Sequence, residues 1–231
     1  MTIANNLHQI QQLIETSAKA CQRSPVDIQL LAVSKGQPAS AIREAFAAGQ
    51  SNFGENYLQE AQIKIQNLDD LAINWHFIGP IQSNKSAIIA ENFSWVHSLS
   101  RQKVAELLAK YRPKDLPALN ICLQVNLDEE PTKSGTSEEK LAKLALLVNQ
   151  LPNLRLRGLM TIPKPLSNEQ EQYESLLRLN TILQKLNKEC NLSMDTLSMG
   201  MSDDLAAAIR AGSTMVRVGR AVFGERKQDM K

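Results

Sequence analysis

The sequence has few cysteines, no excess of charge of one sign, and no long apolar run near its N-terminus. Its three cysteines, Cys21, Cys122 and Cys190, lie far apart, without CxxC spacing or a neighbouring histidine cluster, so we expect reduced, packed thiols and no metal site. Residues 1–20 carry polar side chains throughout, which predicts a cytosolic protein without a signal peptide or membrane anchor. The net charge of +2 comes from interspersed basic and acidic residues, which argues against nucleic acid or a membrane surface as a partner.

The sequence also lacks a linker rich in Pro, Gly or Ser, a low-complexity tract and an obvious short repeat. A chain of 231 residues that is 43% hydrophobic and 22% charged fits one sizeable α/β domain, or two small ones. Because no linker divides it, we predict a single domain that spans residues 1–231.

Neither of the two common nucleotide-binding loops is present in complete form. Residues 79–86 follow a predicted strand and imitate a Walker A loop, but Asn84 stands where the second glycine is required. Pro80 also removes a backbone amide that such a loop uses to hold phosphate. No GxGxxG sequence follows any predicted strand. These departures argue against ATP or GTP binding and against a dinucleotide-dependent oxidoreductase.

Helical and strand-like segments alternate along the chain. Ile3, Leu7, Ile10 and Ile14 recur at helical spacing, which predicts an extra N-terminal helix that ends before Pro25. The strands that follow are predicted at 30–33, 51–54, 74–78, 94–97, 118–125, 154–160, 196–197 and 214–218. The helices between them are predicted at 38–48, 55–68, 83–91, 101–111, 137–151, 168–190 and 202–211, with a polar loop at 128–136. This alternation predicts a closed TIM-type (β/α)8 barrel, and an open doubly wound sheet is the alternative because two strands are very short.

Lys35 closes the apolar run 30–33 and is followed at once by Gly36. The pattern places this lysine at the C-terminal end of a buried strand, which is where α/β proteins carry their chemistry. A partly desolvated lysine at such a position can attack a carbonyl group and form a Schiff base. Considered alone, a surface lysine that merely ends a strand is the commoner arrangement.

Residues 197–205 form the better candidate for an anion site. A predicted strand ends there, Gly200 allows close approach of the backbone, and the predicted helix begins at Ser202 with unpaired amides. An ordinary N-cap at Ser202, without a ligand, is the alternative. The next strand favours the anion site, because it ends in Gly219 and the loops after strands seven and eight form the usual phosphate cradle of a barrel. Arg217 lies inside that strand and needs a partner if buried, either a carboxylate or a ring nitrogen.

These segments belong to a set of sequence blocks that resembles the pyridoxal phosphate homeostasis proteins. The blocks are 33–35 (VSK), 53–60 (FGENYLQE), 75–85 (WHFIGPIQSNK), 158–160 (GLM), 197–204 (LSMGMSDD), and 216–219 (VRVG) with 223–224 (FG). They span almost the whole chain in order, which makes a chance match improbable. The resemblance implies pyridoxal 5'-phosphate (PLP) as the cofactor and a barrel of PLP fold type III, like the N-terminal domain of bacterial alanine racemases.

The resemblance also implies roles for individual residues. Lys35 would form the internal aldimine with PLP. Arg217 would face the pyridine nitrogen, and because a guanidinium keeps its own proton, that nitrogen would stay unprotonated and the ring would be a weak electron sink. The residues implied in holding the phosphate are Ser198, Gly200, Gly219 and Arg220.

Three further residues are implied to surround the cofactor. Asn56 and Met199 would flank the ring, and His76 would line the same mouth of the barrel. Without the resemblance, we would interpret His76 as a hydrogen-bonded histidine of the core and Met199 as a packed core residue.

The resemblance limits the activity that we expect. Alanine racemases take a second base, a tyrosine, from an additional β domain across a dimer interface, and this sequence has no room for that domain after its eighth predicted strand. Tyr57, Tyr111 and Tyr173 all fall on predicted helices, and only Tyr57 starts near the expected mouth. Racemisation removes a proton from one face and delivers one to the other, so a single usable base argues against efficient racemisation.

We therefore expect a protein that binds, buffers and passes on PLP, with effects on amino-acid and keto-acid balance and with little or no catalysis. The expected partners are PLP itself and PLP-dependent apoenzymes or regulatory proteins. A monomer is favoured, because the racemase dimer depends partly on the additional domain. Two alternatives stay open: a racemase-like PLP enzyme with an unusual base, and a regulatory protein in which PLP is a structural ligand.

Overall fold

A computed structural model of the protein describes residues 2–128 and 134–224, so residues 129–133 of the predicted polar loop lie outside the described part. The chain begins with helix α1 (Ile3–Ala20), which is capped by Thr2, whose side chain accepts a hydrogen bond from the Asn5 amide. The helix buries the face that its spacing predicts, which is formed by Leu7, Ile10, Ile14 and Ala18. The predicted N-terminal helix is therefore confirmed.

Eight parallel strands close into a barrel in sequence order. They are β1 (Gln29–Val33), β2 (Asn52–Glu55), β3 (Asn74–Phe77), β4 (Trp95–Leu99), β5 (Leu119–Gln124), β6 (Leu154–Met160), β7 (Thr196–Ser198) and β8 (Met215–Val218). Strand β1 pairs with both β2 and β8, with Val33 opposite Gly54 and Leu31 opposite Arg217. This closure confirms the predicted barrel, and the alternative of an open doubly wound sheet is wrong.

Helices follow the strands and cover the outside of the barrel. They are α2 (Ala39–Ala47), α3 (Leu58–Asn67), α4 (Ser86–Asn92), α5 (Gln102–Tyr111), α6 (Glu138–Gln150), α7 (Glu169–Glu189), α8 (Leu205–Arg210) and α9 (Arg220–Phe223). The last of these, α9, is a single turn that the sequence pattern does not predict. Within residues 2–128 and 134–224, no helix combines the length and the apolar character that crossing a membrane requires.

The third predicted helix begins later than the pattern indicates. The sequence predicts its start at Glu55, but Glu55 is the last residue of β2, where it pairs with Phe77. The carboxylate of Glu55 is buried against Lys64, and this contact keeps the residue in the sheet. The helix α3 then begins at Leu58.

The predicted helix start at Ser202 also differs from the structure. Helix α8 begins at Leu205, with Asp204 at its N-cap position. The Asp204 carboxylate accepts a hydrogen bond from the Met201 amide at 2.6 Å, and this bond shapes a turn ahead of the helix. Ser202 is therefore a turn residue at the end of the barrel and not the cap of α8.

Strands β6 and β7 approach each other closely at Gly158. A β-carbon at this position would lie 1.7 Å from the carbonyl oxygen of Thr196, so a larger residue requires a strand to move. We expect Gly158→Ala to lower the free energy of unfolding by about 3 kcal/mol, the upper part of the range for overpacking. Gly54→Ala is the matched control, because its β-carbon would meet only side-chain atoms of Ile78 and Leu31, at 3.2 Å or more. Urea denaturation measures both variants, and equal losses would contradict the prediction.

Candidate functional site

A cavity of about 260 Å3 opens at the carboxyl-terminal ends of the barrel strands. Its walls come from the ends of β1, β6 and β8 and from the segments that follow β1, β2, β3, β6, β7 and β8. In a parallel barrel this is the face at which ligands bind. The residues on its walls include Lys35, Asn56, Ser202, Arg217, Gly219 and Arg220.

The cavity brings together five of the nine site residues that the resemblance implies. These five are Lys35, Asn56, Arg217, Gly219 and Arg220. The other four are buried and do not lie on the cavity wall: His76, Ser198, Met199 and Gly200. The cavity wall thus includes five of the residues that the resemblance implies, and the other four lie away from it.

His76 lies inside the barrel and not at its mouth. It precedes Ile78, which does line the cavity, by two residues, and therefore occupies the layer beneath it. Trp95 stacks on the imidazole ring, with centroids 5.4 Å apart. Both ring nitrogens are engaged, Nδ1 with His97 at 2.9 Å and Nε2 with Asn52 at 3.3 Å. Burial lowers the pKa of His76 to about 3, so the ring is neutral at physiological pH.

Ser198 ends β7, and its hydroxyl group is engaged inside the barrel. The Oγ atom lies 2.8 Å from Nδ1 of His97 and accepts a hydrogen bond from Nη1 of Arg217 at 3.0 Å. The resemblance implies that Ser198 helps to hold the phosphate, whereas in the structure its hydroxyl group is bonded to two protein groups, His97 and Arg217.

Met199 and Gly200 pack the segment after β7 against the core and against α8. Met199 is fully buried in the core. Gly200 has a φ of 96°, and a β-carbon there would lie 2.5 Å from the β-carbon of Ala208 on α8. Only glycine satisfies both conditions, so this position lets the backbone pass close to α8 on its way to the cavity wall.

The groups best placed for an anion follow β8. The Met201 amide, in the segment after β7, is already occupied by the Asp204 carboxylate at 2.6 Å. Gly219 and Arg220 lie on the cavity wall where α9 begins, and the first amides of a helix have no acceptor within the helix. Arg220 adds a guanidinium group at the same edge of the cavity. An anionic group of a ligand is therefore expected at this edge.

A buried ion cluster, formed by Glu55, Glu60 and Lys64, lies between β2 and α3. The Lys64 ammonium donates to Glu55 Oε1 at 2.7 Å and also to Glu60. The Glu55 side chain is completely shielded from solvent, and that of Lys64 is 5% exposed. Burial raises the pKa of Glu55, while Lys64 and the hydroxyl of Ser34 act in the opposite direction. The cluster is a structural unit, because a buried charge without its partner is costly.

The ion cluster holds the backbone on both sides of Lys35. The Lys64 ammonium donates to the Ser34 carbonyl oxygen at 2.7 Å, and the Gly36 amide donates to Glu60 Oε1 at 2.6 Å. Lys35 itself is half-buried on the cavity wall. The cluster therefore fixes the point from which the Lys35 side chain enters the cavity.

We expect Lys64→Met to lower the free energy of unfolding by about 3 kcal/mol, because it leaves Glu55 buried without a cation. The matched control is Lys19→Met, which removes a lysine from an exposed pair with Glu15 on α1 and is expected to leave stability unchanged within error. Denaturant titration of both variants provides the measurement. A Lys64→Met protein as stable as the control would show that the cluster contributes no more than an exposed pair.

Arg217 is a buried, positively charged residue that lines the cavity. Its Nη1 donates to the carbonyl oxygen of Ser198 at 2.5 Å, and its Nη2 donates to the carbonyl oxygen of Thr161 at 2.8 Å. Its hydrogen-bond partners among the described residues are neutral oxygens. Burial lowers the pKa of Arg217 to about 10, so the guanidinium remains charged at physiological pH. A buried cation with neutral partners favours a ligand that brings an acceptor.

Asn56 presents a polar atom that a ligand would satisfy. Its Oδ1 is buried and has no hydrogen-bond partner among residues 2–128 and 134–224. Since Asn56 also lies on the cavity wall, a donor on a bound molecule can reach this side of the site. With the amine of Lys35 and the two guanidinium groups, the cavity suits an anionic ligand that has a carbonyl group.

Sequence reasoning missed the apolar walls of the cavity, which include Ile78, Met160 and Ile162. Ile78 is the first residue after β3, and Ile162 is the second residue after β6. Their position just past a strand end was the available signal, since such positions face the ligand in a parallel barrel. The ion cluster and His97 carried no comparable signal, because their contacts join different strands and helices whose packing the sequence pattern does not show.

The chain is similar to known proteins over nearly its whole length. Residues 2–227 match the family described as alanine racemase, N-terminal domain. The chain is 56% identical over 225 residues to the pyridoxal phosphate homeostasis protein of Pseudomonas aeruginosa, which covers 97% of this chain and 96% of the relative. It is 50% identical over 232 residues to the protein of the same name from Escherichia coli K12, with 99% of each chain covered. The chain belongs to the family of pyridoxal phosphate homeostasis proteins, as its sequence blocks predict.

A solved structure of a further relative shows the same architecture. PipY of Synechococcus elongatus PCC7942, with PLP bound, matches with a TM-score of 0.85 and 36% sequence identity. The match covers 96% of this chain and 100% of PipY. This chain therefore shares its fold with a protein whose structure contains PLP.

Proposed function

We propose that this protein binds PLP in the cavity at Lys35 and takes part in PLP homeostasis by holding the cofactor and releasing it to other proteins. The observation that carries the proposal is that Lys35 and Arg217 line one cavity at the ligand-binding face of the barrel. Two relatives support the proposal. The structure of PipY contains PLP, and the Pseudomonas aeruginosa relative is named for PLP homeostasis.

The residues of the cavity fit PLP. This cofactor, when bound, supplies an aldehyde that reacts with amines and a pyridine ring that accepts electrons. Lys35 offers the amine, and Arg217 offers hydrogen-bond donors for the ring nitrogen. Gly219 and Arg220 offer amides and a guanidinium group for the phosphate, and Asn56 Oδ1 remains for a donor on the ligand. In this arrangement His76, Ser198, Met199 and Gly200 support the site from the second layer.

Lys35 anchors the cofactor through a Schiff base, in which Nζ bonds to the aldehyde carbon and water is released. The fixed backbone around Lys35 orients the amine before the ligand arrives, so less entropy is lost on binding. The bond is reversible by hydrolysis. This reversibility suits a protein that stores PLP and passes it on.

The site favours holding the cofactor over turning over amino acids. Arg217 keeps its proton, so the ring nitrogen stays unprotonated and the ring withdraws electrons weakly. Tyr57 is 55% exposed at the N-cap of α3 and is not part of the cavity wall. Asp203, the carboxylate on the described cavity wall, is exposed and lies 4.0 Å from the Arg220 guanidinium. Lys35 is then the one base on that wall that is partly shielded from solvent, and a racemase needs a second one. Effects on amino-acid and keto-acid balance would follow from the supply of PLP to other enzymes.

Two measurements test this function. Incubation of the PLP-loaded protein with amino acids in heavy water is expected to give no faster α-proton exchange than the same concentration of free PLP. Mixing the loaded protein with a PLP-dependent apoenzyme is expected to restore that enzyme's activity. Exchange well above the free-cofactor rate would contradict the proposal and would favour a racemase-like enzyme instead.

We expect Arg217→Ala to shift the absorption spectrum of bound PLP, because the partner of the ring nitrogen is removed. The matched control is Arg220→Ala, which changes an exposed guanidinium at the phosphate edge and is expected to weaken retention of PLP while leaving its spectrum unchanged. Absorbance spectra of both loaded variants, with circular dichroism as the check on folding, provide the comparison. A wild-type spectrum for Arg217→Ala would place Arg217 away from the ring.

A further inference from the structure

A chain of hydrogen bonds crosses the barrel interior behind the cavity. Arg217 Nη1 donates to Ser198 Oγ at 3.0 Å, and Ser198 Oγ lies 2.8 Å from His97 Nδ1. His97 Nε2 lies 2.9 Å from His76 Nδ1, and His76 Nε2 lies 3.3 Å from Asn52 Oδ1. We call these five residues the interior chain. It links β8, β7, β4, β3 and β2, and its two histidines take no direct part in the cavity wall.

The Asn52 end of the interior chain fixes the direction in which its hydrogen bonds are donated. A guanidinium only donates, and the amide oxygen of Asn52 only accepts. His76 Nε2 therefore carries a proton, so its Nδ1 accepts from His97 Nε2, and His97 Nδ1 accepts the hydroxyl proton of Ser198. Each neutral imidazole has one donor and one acceptor nitrogen, and this arrangement uses both in each ring. The geometry thus assigns the proton to Nε2 in both histidines.

The same geometry disfavours a charged histidine in the interior chain. The two facing nitrogens, 2.9 Å apart, share a single proton, so the two rings cannot both be imidazolium. The Arg217 guanidinium at one end of the interior chain also opposes a second positive charge at His97. Burial, together with His76 and Arg217, lowers the pKa of His97 well below its ordinary value. The chain is therefore neutral except at Arg217.

We propose that His97, supported by His76, is a positioning residue that holds the Arg217 guanidinium in place through Ser198. Because His97 takes the hydroxyl proton, the lone pairs of Ser198 Oγ point towards Arg217 and add a third acceptor to the carbonyl oxygens of Ser198 and Thr161. The effect on bound PLP rests on the proposed function, since it requires Arg217 to face the ring. The assignment of protons in the interior chain does not, and it is testable in protein without cofactor.

The first test is nitrogen-15 NMR of histidine-labelled protein without PLP. His76 and His97 are expected to show the neutral Nε2–H tautomer, with signals that stay constant from about pH 8 to about pH 6. His8, exposed on α1, supplies the reference signal. An Nδ1–H tautomer at His97, or an imidazolium at either buried histidine, would overturn the proposal. If the protein fails to bind PLP, the proposed function is wrong, but the tautomers measured for His76 and His97 remain valid.

The second test compares three replacements at His97 and Ser198. His97→Leu removes the acceptor for the Ser198 hydroxyl, and His97→Asn retains an acceptor near the position of Nδ1. We expect His97→Leu to change the nitrogen-15 shift of Arg217 Nε and the spectrum of bound PLP, and His97→Asn to restore both towards wild type. If His97→Leu does not fold, Ser198→Ala breaks the chain at the next link and is expected to shift the same two signals. If a folded His97→Leu or Ser198→Ala protein keeps the wild-type nitrogen-15 shift of Arg217 Nε and the wild-type PLP spectrum, the proposal is wrong. The residues of the interior chain would then only fill the core.

Discussion

A Lys35→Ala variant will not form the adduct that borohydride fixes between PLP and the wild-type protein. The expected loss is complete, because a Schiff base needs a primary amine and Lys35 is the one lysine among the described residues of the cavity wall. Lys35→Arg, which keeps the positive charge without a primary amine, is expected to fail in the same way. The adduct is measured by its absorbance and mass after reduction and removal of free PLP.

The control for this prediction is Lys85→Ala. Lys85 lies in a short 3-10 turn before α4 and outside the cavity wall, so its removal is expected to leave the adduct at the wild-type level. Circular dichroism of all three variants separates loss of binding from loss of folding. An adduct that forms in Lys35→Ala at the wild-type yield would show that another lysine anchors the cofactor.

Acidification from pH 7 to pH 5 will lower the free energy of unfolding through the two buried histidines, by about 4 kcal/mol in total. The unfolded pKa of each is 6.5, whereas burial lowers the pKa of folded His76 to about 3 and that of folded His97 well below its ordinary value. The unfolded chain therefore binds more protons, so this stability is present above pH 6.5 and is lost as the pH falls towards the folded pKa. Below about pH 6.5, each histidine lowers the free energy of unfolding by about 1.4 kcal/mol for each pH unit of acidification.

Other groups modify this dependence without reversing its sign. The raised pKa of Glu55 acts in the opposite direction, because the folded state then binds the extra proton as the pH falls. Urea denaturation at several pH values measures the slope in wild type, in His97→Asn and in His8→Gln, which changes an exposed histidine. His97→Asn is expected to lose about half of the slope between about pH 6.5 and about pH 5, and His8→Gln to keep it. A wild-type slope in His97→Asn would show that His97 is protonated in the folded protein.

The sequence predicted the barrel because each βα unit has its own local pattern. Apolar runs of strand length alternate with segments of helical period, and eight such units have few other ways to close. Lys35 and Arg217 were predicted as site residues for a related reason: each is a charged residue at or near the end of an apolar run. Such residues stand out against the hydrophobic pattern.

Features that depend on contacts between different strands and helices were not predictable in this way. The pattern places Glu55 in a helix, because only the structure shows its carboxylate buried against Lys64. The pattern likewise gives no reason for His97 to lie between Ser198 and His76, since these residues come from three different strands. Polar groups inside a barrel are fixed by register and closure, which a single sequence does not display.

Peptide mapping shows whether this cavity holds PLP on Lys35. Wild-type protein is loaded with PLP, reduced with borohydride, digested and analysed by mass spectrometry. We expect the reduced cofactor on the peptide that contains Lys35, at a yield close to one per chain. Finding the cofactor on a different lysine, with the Lys35 peptide unmodified, would contradict this expectation.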